Sequence, residues 1–144
     1  MEAFNLGDQT FTFDKPATLA AYASLEGGFA ERCGCADCRN FAAQRTTAFP
    51  PDFLTLLDRL GIDPLKEGEA FEYGPEPSGK HLYGGWFYFI GKMDVQGESQ
   101  IEGNGFSYFI GTSFPKPPPP FHGQPVLAVE FMTRLPWVLP ASAE

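Results

Sequence analysis

The stretch LYGGWFYFIG at residues 82–91 decides the fold, because it is apolar at both odd and even positions. A strand with one face in water alternates apolar and polar residues, whereas a strand covered on both faces is apolar throughout. Residues 82–91 therefore predict a central strand. Three further segments predict strands because β-branched or aromatic residues lie there between turn-forming residues: 71–73, 105–114 and 126–132.

The tetrapeptide YFIG occurs twice, at residues 88–91 and again at 108–111. The segment between the copies, residues 92–104, is polar and rich in turn formers. Two copies are fewer than a solenoid needs. The repetition instead predicts two neighbouring antiparallel strands that make similar contacts.

The clearest helix is predicted at residues 51–60. Phe53, Leu57 and Leu60 fall on one face of a helix with 3.6 residues per turn. The segment begins with proline, which the first helical turn tolerates, and Gly61 suits a left-handed cap at its end.

The rest of the first half of the chain predicts a hairpin at residues 4–13 and helices at residues 17–25 and 38–45. After about Gly68 the spacing of apolar residues changes from the helical period to the two-residue period of strands. The expected fold class is α+β: two or three N-terminal helices packed on an antiparallel sheet of about four to six strands. At 144 residues, 43% of them apolar, the chain predicts a single compact domain over residues 1–144.

The net charge limits the kinds of partner that the protein is expected to bind. Eighteen acidic against ten basic residues leave a net charge of −8, which disfavours nucleic acid and anionic membranes as partners. No apolar run approaches the ~20 residues of a membrane span, and the N-terminus lacks a signal-peptide pattern. We expect a cytoplasmic protein. Residues 63–76, rich in acids, predict a solvated face.

All three cysteines lie within six residues, as Cys33, Cys35 and Cys38 of the motif CGCADC. Zinc takes four ligands and binds thiolates well, so the cluster predicts a zinc site. Three cysteines leave one position, which His81, His122 or a water molecule could fill.

Three other interpretations of the motif stay open. Cys35 and Cys38 have the spacing of a redox pair. Asp37 as the N-cap of a helix over residues 38–45 would place the Cys38 thiol near the positive end of that helix, and Arg32 and Arg39 would further favour its thiolate. A single cysteine could act as a nucleophile if a histidine approached it. The three thiols could also be inert and pack as small apolar residues.

The residues after the motif predict a short helix with Phe41 in the core and with Arg39 and Arg45 in water. The alternative is that Arg39 and Asn40 hold the cysteine loop by charge and hydrogen bonds.

Aromatic residues along the predicted strands could bind a planar ligand, although core packing is the simpler interpretation. The set comprises Tyr83, Trp86, Phe87, Tyr88, Phe89, Phe106, Tyr108 and Phe109. A proline tract at residues 115–120 predicts a stiff, extended connector.

The motifs CGCxxCRNF (residues 33–41), FPxxFxxLLxxLGIDP (49–64), YGGW (83–86) and LPWVL (135–139) resemble those of small uncharacterised bacterial proteins. The resemblance implies a bacterial, cytosolic protein of one domain. No activity is known for these proteins, so it implies no catalytic residue.

Three function classes follow. The first is a non-enzymatic binding protein with a structural zinc in the cysteine loop, which would neutralise a basic macromolecular partner in the manner of an immunity protein. The second is a thiol oxidoreductase using Cys35 and Cys38. The third is a small-ligand binder on the aromatic sheet.

Overall fold

A computed structural model describes residues 1–140. Its strands are β1 (Glu2–Leu6), β2 (Gln9–Phe13), β3 (Glu69–Pro75), β4 (His81–Val95), β5 (Ile101–Gly103), β6 (Phe106–Gly111) and β7 (Val126–Leu135). Its helices are α1 (Lys15–Ala23), α2 (Phe29–Cys33), α3 (Ala36–Ala42), α4 (Arg45–Ala48), α5 (Pro51–Leu60) and a 3-10 turn at Pro119–Phe121. Within residues 1–140, none of the helices has the length and apolar character that crossing a membrane requires.

Strand β4 is central, as predicted, and it organises the sheet. It pairs with β7 along ten residues, from His81 opposite Leu135 to Ile90 opposite Val126. Along its other edge, β3 pairs with the first part of β4 and β2 pairs with the last part. With fifteen residues, β4 is long enough to hold two shorter strands end to end.

The α+β class is confirmed, but the sheet is larger than predicted and the helices are more numerous. Seven antiparallel strands run in the order β1-β2-β4-β7-β6-β5, with β3 on β4, where four to six were expected. The extra strand is β5, in a segment interpreted as a turn. Residues 1–140 hold five short α-helices where two or three were expected, because α2 was not predicted and the helix predicted over residues 38–45 is divided after Ala42 into α3 and α4. The 3-10 turn lies in the second half of the chain.

The prediction that the two YFIG copies form neighbouring strands is wrong. They lie on β4 and β6, and β7 lies between these strands. Ala128 of β7 pairs with Tyr88 on one side and with Gly111 on the other. The two copies are therefore out of register with each other, because Tyr88 lies opposite Ala128 of β7 and Tyr108 lies opposite Phe131.

Helix α5 begins and ends where the sequence predicted, and its apolar face packs on the sheet. Phe53 and Leu57 are fully buried, and the Phe53 ring lies 4.8 Å from that of Phe106. Of the eight aromatic residues predicted along the strands, six are buried in the core, and Trp86 and Phe109 stay partly exposed. Core packing therefore accounts for most of the aromatic set.

Candidate metal centre

The cysteine loop is a tight turn between two short helices. Cys33 ends α2, Gly34 caps it with φ at +68°, and Cys35 occupies the N-cap position of α3. The positive φ requires glycine or a strained residue, so Gly34 lets the chain reverse within two residues. Cys38 follows in the first turn of α3. This turn brings the three Sγ atoms within 4.8 Å of one another.

This arrangement suits a thiophilic metal ion. Tetrahedral zinc with Zn–S bonds of about 2.3 Å separates its sulfur ligands by about 3.8 Å. The Sγ atoms of Cys33 and Cys35 are 3.3 Å apart, so a small rotation of the side chains reaches that separation. Cys33 and Cys35 are exposed and Cys38 is buried, so an ion seated on all three would face solvent on one side.

The surroundings shift the pKa values of the Cys33 and Cys38 thiols in opposite directions. The backbone N–H of Cys35, together with hydrogen bonds among the thiols, lowers the pKa of Cys33. Burial raises the pKa of Cys38 far above its ordinary value, and its hydrogen bonds to the other two thiols add to the rise. Cys38 therefore stays protonated at neutral pH unless a positive charge, such as a metal ion, stabilises its thiolate.

The structure opposes the interpretation of Cys38 as an activated thiol. Helix α3 begins at Ala36 with Cys35 as its N-cap, so Asp37 lies inside the first turn and is not the cap. The guanidinium of Arg32 donates to a backbone carbonyl of its own segment, at Gly27. The thiol whose pKa is lowered is that of Cys33, whereas the pKa of Cys38 is raised.

Among the described residues, the group of close ligand atoms consists of the three cysteines and does not include His81. The Nδ1 atom of His81 lies 3.3 Å from Oε2 of Glu72, and its ring packs on Trp137. Burial, with a contact to Asp37, raises the pKa of Glu72. His122 hydrogen-bonds to a backbone carbonyl near the proline tract. A histidine as the fourth ligand stays a prediction.

A buried hydrogen-bond chain fixes the first turn of α3. The hydroxyl of Tyr83 on β4 donates to the carbonyl of Asp37 at 2.8 Å, and Nδ2 of Asn40 lies 3.3 Å from that hydroxyl. Asn40 is fully buried and also accepts from the N–H of Val138 at 2.8 Å. Asn40 therefore ties the LPWVL segment to the helix and, through Tyr83, supports the turn that carries Cys38.

The prediction that Arg45 is solvated is wrong. Its guanidinium is 8% exposed and donates to the carboxylates of both Glu31 and Glu67. Glu67 is buried too, although residues 63–76 were predicted to be a solvated face, and it also accepts from the N–H of Ala30. Arg45 and Glu67 thus hold the start of α2, the helix that ends at Cys33. Nothing local in the sequence signals this pairing, because the partners are 22 residues apart.

Comparison with models of protein families, with curated proteins and with solved structures finds no match to this chain. The chemistry of the loop therefore rests on its own residues: three free thiols, close enough to share one ion, on a turn held from both sides by buried hydrogen bonds.

Proposed function

We propose that this chain is a non-enzymatic binding protein whose loop of Cys33, Cys35 and Cys38 holds a structural zinc ion. The observation that carries the proposal is the mutual distance of the three Sγ atoms, at most 4.8 Å. Thiolates are the ligands that structural zinc prefers, and the ion supplies the positive charge that the buried thiol of Cys38 needs.

A structural role follows from the helices on either side. Helices α2 and α3 have five and seven residues, which is shorter than an isolated helix needs to be stable in water. An ion bound to the end of one helix and the start of the next would link them. Because the rest of the chain has its own large core, loss of the ion would loosen residues 31–39 and lower the melting temperature without unfolding the domain.

The partner in this proposal is a basic macromolecule, met in the cytoplasm. The net charge of −8 favours a basic surface, as in an immunity-like protein that neutralises a basic target. Complexes of this kind weaken as salt rises.

One observation favours a second candidate, a thiol oxidoreductase. The Sγ atoms of Cys33 and Cys35 are 3.3 Å apart, and the pKa of Cys33 is lowered. The Cys33 thiolate would attack a substrate disulfide and form a mixed disulfide. The Cys35 thiolate would then displace the substrate, leaving a Cys33–Cys35 disulfide and a reduced substrate dithiol. This pair differs from the Cys35–Cys38 pair that the sequence suggested.

The test is metal analysis and thiol counting on protein purified without a tag. Elemental analysis should find one zinc ion per chain, and a thiol reagent should react slowly until a chelator is added. Cobalt substitution should give the absorption bands of thiolate–cobalt bonds. Chelation should speed hydrogen exchange in residues 31–39 and leave the rest of the chain protected.

Matched variants separate ligands from neighbours. Cys33→Ser, Cys35→Ser and Cys38→Ser should each lower zinc content and melting temperature together, and more so in acid, where protons compete for the thiolates. Asp37→Asn lies in the same loop without being a ligand and should keep the zinc. A metal-free protein with a reversible two-electron couple, lost in Cys33→Ser, would instead establish the oxidoreductase.

A further inference from the structure

A half-open cavity of about 400 Å³ lies between the loop of residues 96–100 and the strands β6 and β7. The turn between β1 and β2 fixes the loop that forms its wall. The carboxylate of Asp8 accepts from the N–H groups of Glu98 and Ser99, at 3.0 and 2.9 Å. A cavity of this size admits a small organic molecule.

An unpaired acceptor belongs to the wall of this cavity. Gln9 is 4% exposed, and its Nε2 donates to the carbonyls of Gly97 and Ile110, at 3.3 and 3.1 Å. Turning the amide over would lose both bonds, so its orientation is fixed. Within residues 1–140, the buried Oε1 of Gln9 has no hydrogen-bond partner. Such an atom is rare in a folded protein, and because it is buried, Gln9 serves to fix the wall of the cavity rather than to contact a ligand.

The carboxylate of Glu130, which also lines this cavity, has no partner among the described residues. Glu130 of β7 is in register with Trp86 of β4 and Phe109 of β6, so the three side chains share one face of the sheet. Gly111 makes room for the carboxylate, since a Cβ at that position would collide with Oε2 of Glu130. No other side chain or N–H in the described chain pairs with this carboxylate, and burial raises the pKa of Glu130.

The lining selects the charge of a ligand. Its ionisable members are Glu98 and Glu130, and no lysine or arginine lines the cavity. An anion would meet repulsion there. A metal ion such as Ca²⁺ requires six to eight oxygen ligands around one point, and among the described residues the group of close metal-ligand atoms is that of the three cysteines, not one in this cavity. Phe109 and Met93 supply apolar surface instead.

We propose that this cavity binds a small organic cation, a protonated amine with a short apolar tail. The ammonium group pairs with the carboxylate of Glu130 and lies against the ring of Phe109, which attracts cations through its electron-rich face. The apolar tail contacts Met93. This site is separate from the cysteine loop and does not depend on any metal.

The test is calorimetric titration of the full chain with n-butylammonium at low ionic strength, beside two probes of similar size, neutral butan-1-ol and anionic butyrate. We expect saturable binding of n-butylammonium alone. Glu130→Gln should weaken it at least about tenfold, because the ion pair is lost. Phe109→Leu should weaken it less, and Glu98→Gln, at the rim, should change it least.

Amide chemical shifts of the unaltered protein locate the site even if a variant fails to fold. Titration with n-butylammonium should move the signals of Gln9, Phe109 and Gly111, and should leave those of residues 33–38 in place. The proposal is overturned by an absence of saturable binding, by equal binding of butan-1-ol or butyrate, by shifts elsewhere, or by unchanged affinity in a folded Glu130→Gln variant.

Discussion

Replacing Arg45 with methionine removes the guanidinium that holds two carboxylates together. Its Nε and Nη2 donate to Glu67 at 2.8 and 2.9 Å, and its Nη1 and Nη2 donate to Glu31 at 2.6 and 2.9 Å. Methionine keeps an unbranched apolar stem of similar length. The Glu67 carboxylate would then remain fully buried, with the N–H of Ala30 as its remaining donor.

The burial of the two carboxylates sets the expected loss in the free energy of unfolding. Removing one partner of a buried ion pair costs about 3–5 kcal/mol, because the other charge is left without compensation. Glu31 is 48% exposed and can regain water, so most of this cost comes from Glu67. With a denaturant slope of about 2 kcal/mol/M, the urea midpoint should fall by about 2 M.

The assay is urea unfolding at pH 7, followed by circular dichroism. The control is Arg134→Met, because Arg134 pairs with Glu76 at 2.6 Å while 46% exposed, and such pairs contribute about 0–1 kcal/mol. The double variant Arg45→Met with Glu67→Gln should recover most of the loss, since no buried charge remains and the glutamine oxygen can still accept from the N–H of Ala30. A loss below about 1 kcal/mol in Arg45→Met, or no recovery in the double variant, would refute the reasoning.

Leu57→Ala should lower the free energy of unfolding in urea by about 2–5 kcal/mol, because Leu57 is fully buried. Leu19→Ala is the control, because Leu19 is 52% exposed and should tolerate alanine. A loss below about 1 kcal/mol in Leu57→Ala would place the α5 face in solvent. Gly34→Ala should cost about 1–2 kcal/mol, since φ is +68° there, and unchanged stability would mean that the turn adopts another conformation. Burial raises the pKa of Glu130 in the folded state. Above that pKa the side chain is charged, and its burial lowers the free energy of unfolding. Below about pH 4 it is protonated in both the folded and the unfolded chain and has no such effect. The melting temperature of Glu130→Gln should therefore exceed that of the native chain at pH 7 and match it at low pH. The same increase in melting temperature at both pH values would assign the effect to packing.

Much of the fold could be predicted because its determinants are local. The apolar run in β4 and the helical period with proline and glycine boundaries in α5 lie within about ten residues each. The cysteine site could be predicted for the same reason, because its three thiols lie within six residues. Neighbouring residues can be brought together by one turn, whatever the rest of the chain does.

The sequence by itself therefore determined the fold class, the central strand and the three thiols, since each depends on residues close along the chain. The tertiary structure alone decided that β7 separates the two YFIG strands, that Arg45 is buried on Glu67, and that Asn40 meets Val138, 98 residues away. It also placed Glu130 in the cavity with Gln9. The physical reason is that a polar side chain looks the same in sequence whether water or a distant partner satisfies it, and only packing decides which.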